Sequence, residues 1–242
     1  MKKNKSMKNK GIIIFIFLLS ICLIGPVKSQ QSNDIKNSLY YRIQKGIYNR
    51  AVKYSDIDMA IDALYNLSIM EPQNDSLLYS LAYLYYDNQK YLSAVLTLND
   101  VILLNPENIS ALEMKAVSLE RIGALEKAIE TYESLYLKSD DNINYLYKVA
   151  AFQYDLKRYN ESKTNIDILL SKPKADEIKY YFPTEDDQQQ EIPMRAGLHN
   201  LKGLIAKDSG NMEEAKKQFA IALQISPEFY IAKKNLEDLS SN

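Results

Sequence analysis

From residue 75 onward the apolar positions recur at helical spacing, in blocks divided by short polar turns. Leu78, Leu81, Ala82 and Tyr85 mark one face of a first helix, and Tyr91, Ala94, Val95, Leu98, Val101 and Ile102 a face of a second. The next block repeats this with Leu112, Ala116 and Leu119, then Leu125, Ala128, Ile129, Tyr132 and Leu135. The turns Asp87-Asn88-Gln89-Lys90, Arg121-Ile122-Gly123-Ala124, Asp155-Leu156-Lys157-Arg158 and Asp208-Ser209-Gly210-Asn211 separate the paired helices. Prolines such as Pro106 and Pro227 close the second helix, because the ring clashes with the preceding turn.

Several columns share one period. Ala60, Ala94, Ala128 and Ser162 follow one another at a constant interval, and Ala82, Ala116 and Ala150 keep the same one. Gly203 and Ala215 continue the two columns but both arrive late by the same amount, so an insertion precedes the last unit. Small residues in these columns predict where the two helices of a hairpin approach most closely: Ala82 with Ala94, Ala116 with Ala128, Ala150 with Ser162, and Gly203 with Ala215.

This pattern resembles the tetratricopeptide repeat, a helix–turn–helix unit of about 34 residues. The correspondence is closest over Asp75–Asn108 and Ile109–Asn142, good over Ile143–Pro173 and Ala196–Phe229, and degenerate near 41–74. The large aromatic that often opens the motif is replaced by Leu78, Leu112, Leu146 and His199. The expected organisation is a signal peptide (1–29), N-terminal helices with a degenerate first repeat (30–74), three repeats (75–173), an insertion (174–195), a last repeat (196–229) and a capping helix (230–242). The resemblance implies an all-α, right-handed superhelical solenoid of antiparallel helix hairpins whose first helices line a concave groove. In that geometry a protein or peptide partner would meet Tyr79, Tyr83, Tyr86, Glu113, Glu120, Arg121, Tyr147, Tyr154, Asp155 and Asn200. Tyrosine suits such a surface, bringing rigid area and a hydrogen-bonding tip, yet the same residues also serve as repeat packing. Some family members clamp a peptide carboxylate; here Lys45 and Asn49 match, but Ser80, Ser110 and Met114 stand at the later clamp positions, so no clamp is expected.

The N-terminus changes the setting. Five lysines precede Gly11, an apolar run spans Gly11–Ile24, and Gly25-Pro26 breaks it. This is the three-part form of a secretory signal, with a run shorter than the roughly 20 residues of a bilayer span. An uncleaved anchor is the competing reading. Cys22 lies inside the apolar run after Ile21, where a lipidation cysteine is not expected. Cleavage after Ser29 removes six lysines from the 30 basic residues, leaving 24 against 31 acidic ones, a net of −7. That balance disfavours nucleic-acid binding and attraction to anionic lipid. The expected location is periplasmic or envelope-associated, with no membrane insertion after cleavage.

Catalysis finds no constellation. His199 is the single histidine and falls in a core-facing column; with Cys22 in the signal, nucleophile–base pairs and metal clusters are lacking, so neither an enzyme nor a cofactor is expected. Asn-x-Ser sequons at Asn66, Asn74, Asn108 and Asn160 matter only in a eukaryotic secretory host. The insertion, with Tyr180-Tyr181-Phe182 and the acids Glu185, Asp186, Asp187 and Glu191, reads either as a binding face or as a surface loop whose aromatics fold back on the helices. The expected function is therefore an interaction module or scaffold. A spacer subunit of an envelope assembly is the alternative, with glycan capture by the groove tyrosines behind it.

Overall fold

The structure, a computed structural model, describes Asp34 and residues 38–140, 142–186 and 188–240. The signal-peptide segment, with Cys22, lies outside the described residues, as does Asp187. The described chain forms two compact units that divide between Asn105 and Pro106.

The first unit holds two antiparallel hairpins: α1 (Leu39–Lys53) with α2 (Ile57–Met70), and α3 (Asp75–Asp87) with α4 (Tyr91–Leu104). The stretch with the weakest repeat columns thus folds as a hairpin like the others. Its core joins both hairpins through Ala51, Ala60, Ile61, Leu64, Leu67, Leu81 and Leu84, flanked by Tyr41, Tyr48, Ile57, Leu77 and Tyr85.

The second unit continues with α5 (Ile109–Arg121) and α6 (Leu125–Lys138), then α7 (Ile143–Asp155) and α8 (Tyr159–Leu170). A 3-10 turn (Pro173–Asp176) and two antiparallel strands follow, β1 (Lys179–Pro183) and β2 (Gln189–Pro193), in the register Tyr180↔Ile192 and Phe182↔Gln190. The last hairpin is α9 (Met194–Asp208) with α10 (Met212–Ile225), closed by α11 (Tyr230–Ser240). The fold is the all-α hairpin solenoid class expected from the sequence. The strands are a departure from it, since the insertion carried no expectation of β structure.

The repeat has local causes. Asn74, Asn108 and Asn142, spaced by one repeat length, each stand before the first helix of a hairpin. Their side chains accept from the free amides of Leu77, Ala111 and Asn144. Such caps contribute about 1 kcal/mol each. The hairpin turns share a second device. Ser55, Gln89, Gly123 and Lys157 recur once per repeat with φ of 58°, 56°, 71° and 59°, and Gly210 takes the same place at 80°. One left-handed residue per turn reverses the chain, and glycine fills it without strain at two of the five.

The small-residue columns mark the tightest crossings. Ala60, Ala94, Ala128, Ser162, Ala215, Ala82, Ala116 and Ala150 are all fully buried. Ser162 Oγ donates to the Ala150 carbonyl at 2.7 Å, which joins the paired columns directly. At Gly203 the partner is larger: an added Cβ would collide with the Phe219 ring. Phe219 occupies the column of Leu98, Tyr132 and Ile166, so glycine compensates for the bulkier side chain that the last unit places there.

Candidate functional site: the inner faces of the first helices

In the first unit, Tyr79, Tyr83 and Tyr86 follow one another along α3. Tyr83 is 50% exposed; Tyr79 and Tyr86 are half-buried. Tyr86 meets Tyr91 of α4 edge to face, with centroids 5.7 Å apart. One repeat earlier, on α1, the positions of Ser76, Tyr79, Tyr83 and Asp87 are taken by Arg42, Lys45, Asn49 and Lys53, all exposed.

The second unit uses the same positions differently. Glu113 accepts a hydrogen bond from the Tyr145 hydroxyl. Glu120 takes the Tyr132 hydroxyl at 3.1 Å and pairs with Lys148 Nζ at 2.9 Å. Lys148 also lies 5.6 Å from the centre of the Phe152 ring. Arg121 and Asp155 are exposed. Tyr154 and Tyr159 both donate to Asp208 Oδ2, at 3.0 and 3.3 Å. Burial, reinforced by the Asp208 carboxylate, pushes the Tyr154 hydroxyl up to about 12.

Tyr147 is covered from within the chain. Tyr180 of β1 stacks on it with centroids 4.4 Å apart and planes 23° from parallel. The Tyr180 hydroxyl donates to Asn144 Oδ1 at 2.7 Å. Burial alone pushes the Tyr147 hydroxyl up to about 12, and burial first also raises that of Tyr180. Phe182, two residues along β1, packs on Phe229 at 4.9 Å and lies against Gly197. From β2, Ile192 is fully buried with Ala196, Ala222, Phe229 and Ala232. The Gln190 amide reaches the Glu228 carbonyl at 2.8 Å and the Tyr230 amide at 2.9 Å. Two of the insertion's three aromatics, Tyr180 and Phe182, therefore fold back on the helices, while Tyr181 stays exposed, and the hairpin covers Tyr147.

Asn200 is also withdrawn. It is 6% exposed, and its Oδ1 accepts from Asn235 of α11 at 3.0 Å, so the capping helix covers the inner position of the last repeat. His199 is half-buried and donates from Nδ1 to Gln218 Oε1 at 2.7 Å; Gln218 Nε2 is bound to Glu214, which fixes the amide's direction. Burial holds the histidine below its ordinary value. Its role in this geometry is to brace α9 against α10. Among the described residues, no group of three His, Cys, Asp or Glu side chains is placed to hold a metal ion. Likewise, no helix there is long and apolar enough to cross a membrane.

These features define an α-hairpin repeat protein whose first helices carry the exposed polar and aromatic groups. A profile for the anaphase-promoting complex, cyclosome, subunit 3 matches residues 48–135, and one for the tetratricopeptide repeat matches residues 196–229. The chain is a member of the tetratricopeptide-repeat family. No curated protein matches it in sequence. Among solved structures it is similar to YrrB, described as a TPR protein with an unusual peptide-binding site. That pair shares 12% identity over 86% of this chain and 95% of the other, at a TM-score of 0.58. It is similar to the MamA protein at 17% identity, 78% and 93% coverage and a TM-score of 0.55. The 41-end form of MamA from Desulfovibrio magneticus RS-1 gives 14%, 79%, 98% and 0.52. At such identities the likeness concerns the fold alone.

Proposed function

We propose that this protein is an exported interaction module that holds a peptide or a partner subunit on the inner faces of its first helices. The observation that carries this is the tyrosine row on α3, with Tyr83 half exposed and Tyr79 and Tyr86 beside it. Large, rigid aromatic side chains on an accessible face supply binding area at low entropic cost. YrrB, of like fold, supports the reading through its described peptide-binding site. Export rests on the N-terminal lysines and apolar run of the sequence. The test is recovery of partners from the cell envelope by the wild type and by a Tyr79/Tyr83/Tyr86→Ala variant. Recovery should fall with the variant; undiminished recovery rejects the face.

A second reading, a spacer subunit gripped from the backs of its hairpins, is favoured by one feature. Leu92, Leu96 and Leu103 of α4 are 61%, 60% and 80% exposed. If this reading holds, Leu96→Asp with Leu103→Asp loses the partner and the tyrosine variant keeps it.

A further inference from the structure

The chain after residue 29 is acidic as a whole, but its charge is unevenly spread. α1 carries Arg42, Lys45, Arg50 and Lys53 and no acid, and all four are exposed. α3, one repeat on, has Asp75 and Asp87 and no base, while α5 and α7 hold equal numbers of both signs. α9 also has a basic excess, but its Arg195 and Lys202 are paired with Asp176 and Asp167. In physiological salt a charge is felt over about 8 Å, so a surface that meets α1 meets its cations and not the net charge of the chain.

The same helix sets an apolar stripe beside the basic one. By helical spacing, Leu39, Ile43 and Ile47 share one side of α1, and Arg42, Lys45, Asn49 and Lys53 share the side next to it. The buried Gln44 and Ala51 mark the third side, which meets the core. Leu39 is 72% exposed and Ile43 47%. Tyr54, just past the helix, is 68% exposed, with Lys53 Nζ 5.7 Å from its ring centre. A partner offering only acidic groups would leave the apolar stripe in water. The boundary of a bilayer takes both stripes, apolar side chains toward the acyl layer, cations at the headgroups and tyrosine between them. The chain before α1 adds proximity. Residues 25–38 separate the apolar run from α1 and reach at most about 50 Å when extended, so α1 stays near the membrane surface whenever that run lies in the bilayer. We propose that α1 docks on an anionic lipid surface, with Leu39, Ile43 and Tyr54 entering the headgroup layer and Arg42, Lys45, Arg50 and Lys53 meeting lipid phosphates. At this one helix the local charge reverses what the net charge disfavours. The docking is separate from the partner face on α3 and holds whether or not that face is occupied.

The probe is a vesicle of phosphatidylglycerol and phosphatidylcholine, set against vesicles of phosphatidylcholine alone. Each is mixed with the chain from residue 30 onward, which contains every described helix, and sedimented. The protein should pellet with the anionic vesicles, stay in solution with the zwitterionic ones, and be released as salt is raised. Arg42→Gln, Lys45→Gln and Lys53→Gln together should weaken partitioning about a hundredfold, from about fivefold for each cation. Leu39→Ser with Ile43→Ser should weaken it about tenfold. These side chains are exposed, so both variants should keep the wild-type circular dichroism; should the apolar pair lose it, Tyr54→Ser, outside the helix, carries that arm. Three results overturn the inference: no pelleting with anionic vesicles, equal pelleting with both compositions, or partitioning unchanged in the charge variant. A fourth is an apolar variant that partitions like the wild type, which would make α1 a plain basic patch for an acidic protein or a nucleic acid. The triple tyrosine variant reports on the other face. If it loses its envelope partner while the wild type ignores lipid, the interaction role stands and this inference falls; if lipid binds and partner recovery is undiminished, the reverse holds.

Discussion

The inner faces of α3 and α7 begin from nearly the same sequence device, a first helix with a tyrosine at one repeat position, and end in opposite states. On α7 the tyrosine lies under the stacked ring of Tyr180, whose hydroxyl donates to Asn144, while on α3 Tyr83 stays exposed. The difference comes from the inserted stretch after α8 and not from the helices themselves. A repeat surface is therefore not equally available along its length, and the occupant of a site can be built into the same chain.

The comparison can be broken most severely at its closed end. Ile192 anchors β2 and is fully buried, so Ile192→Ala should cost about 2–5 kcal/mol, whereas Tyr83→Ala on the open face should stay within about 0.5 kcal/mol. Urea unfolding of both variants checks this, and equal costs would mean that the hairpin is a loose flap. Next in size is Gly203→Ala, whose new Cβ would run into the Phe219 ring. A loss of about 1–3 kcal/mol is expected from overpacking, visible as a lowered thermal midpoint.

The stack itself should register in alkali. The fold favours the neutral Tyr147 phenol, raising it from the ordinary value near 10 to about 12. That contribution is complete below pH 10 and is lost as pH rises through about 12, because the unfolded chain ionises first. Unfolding midpoints followed from neutral into alkaline pH should fall, and Tyr147→Phe should flatten the decline; an unchanged slope removes the buried stack. The smallest effect lies in the turn of the open unit. Gln89 holds a φ of 56°, so Gln89→Gly should raise stability by up to about 1 kcal/mol, while leaving both faces as they are. A destabilised variant would contradict the left-handed turn there.

Most of the frame was legible in the sequence because it is periodic. The alanine columns mark the crossings that the structure buries, and the columns Asn74, Asn108, Asn142 and Ser55, Gln89, Gly123, Lys157 were equally readable, since capping and turn reversal act within a few residues. What escaped depends on contacts that occur once. β2 reads Gln-Gln-Glu-Ile-Pro, with a single large apolar residue, and becomes a strand only because Ile192 finds the pocket around Phe229 and Ala232. The alternation of Tyr180 and Phe182 was the available hint. Repeat position makes Asn200 a partner-facing residue, but it is buried, and Asn235 of α11 donates a hydrogen bond to its side chain. Repeat arithmetic cannot anticipate a cap that has no counterpart in the other units.

The two-sided character of the hairpin has a practical reach. Tyr180, Phe182 and Ile192 hold it to the helices, while Lys179, Tyr181 and Glu191 face solvent and touch chiefly one another, Tyr181 donating to Glu191 at 2.8 Å and Lys179 pairing with it at 3.4 Å. Residues with such separate duties can be rewritten separately. The joint between α8 and α9 is in that sense a graft socket: a short foreign epitope could be displayed at its outward positions and tip while the inward three keep the scaffold shut.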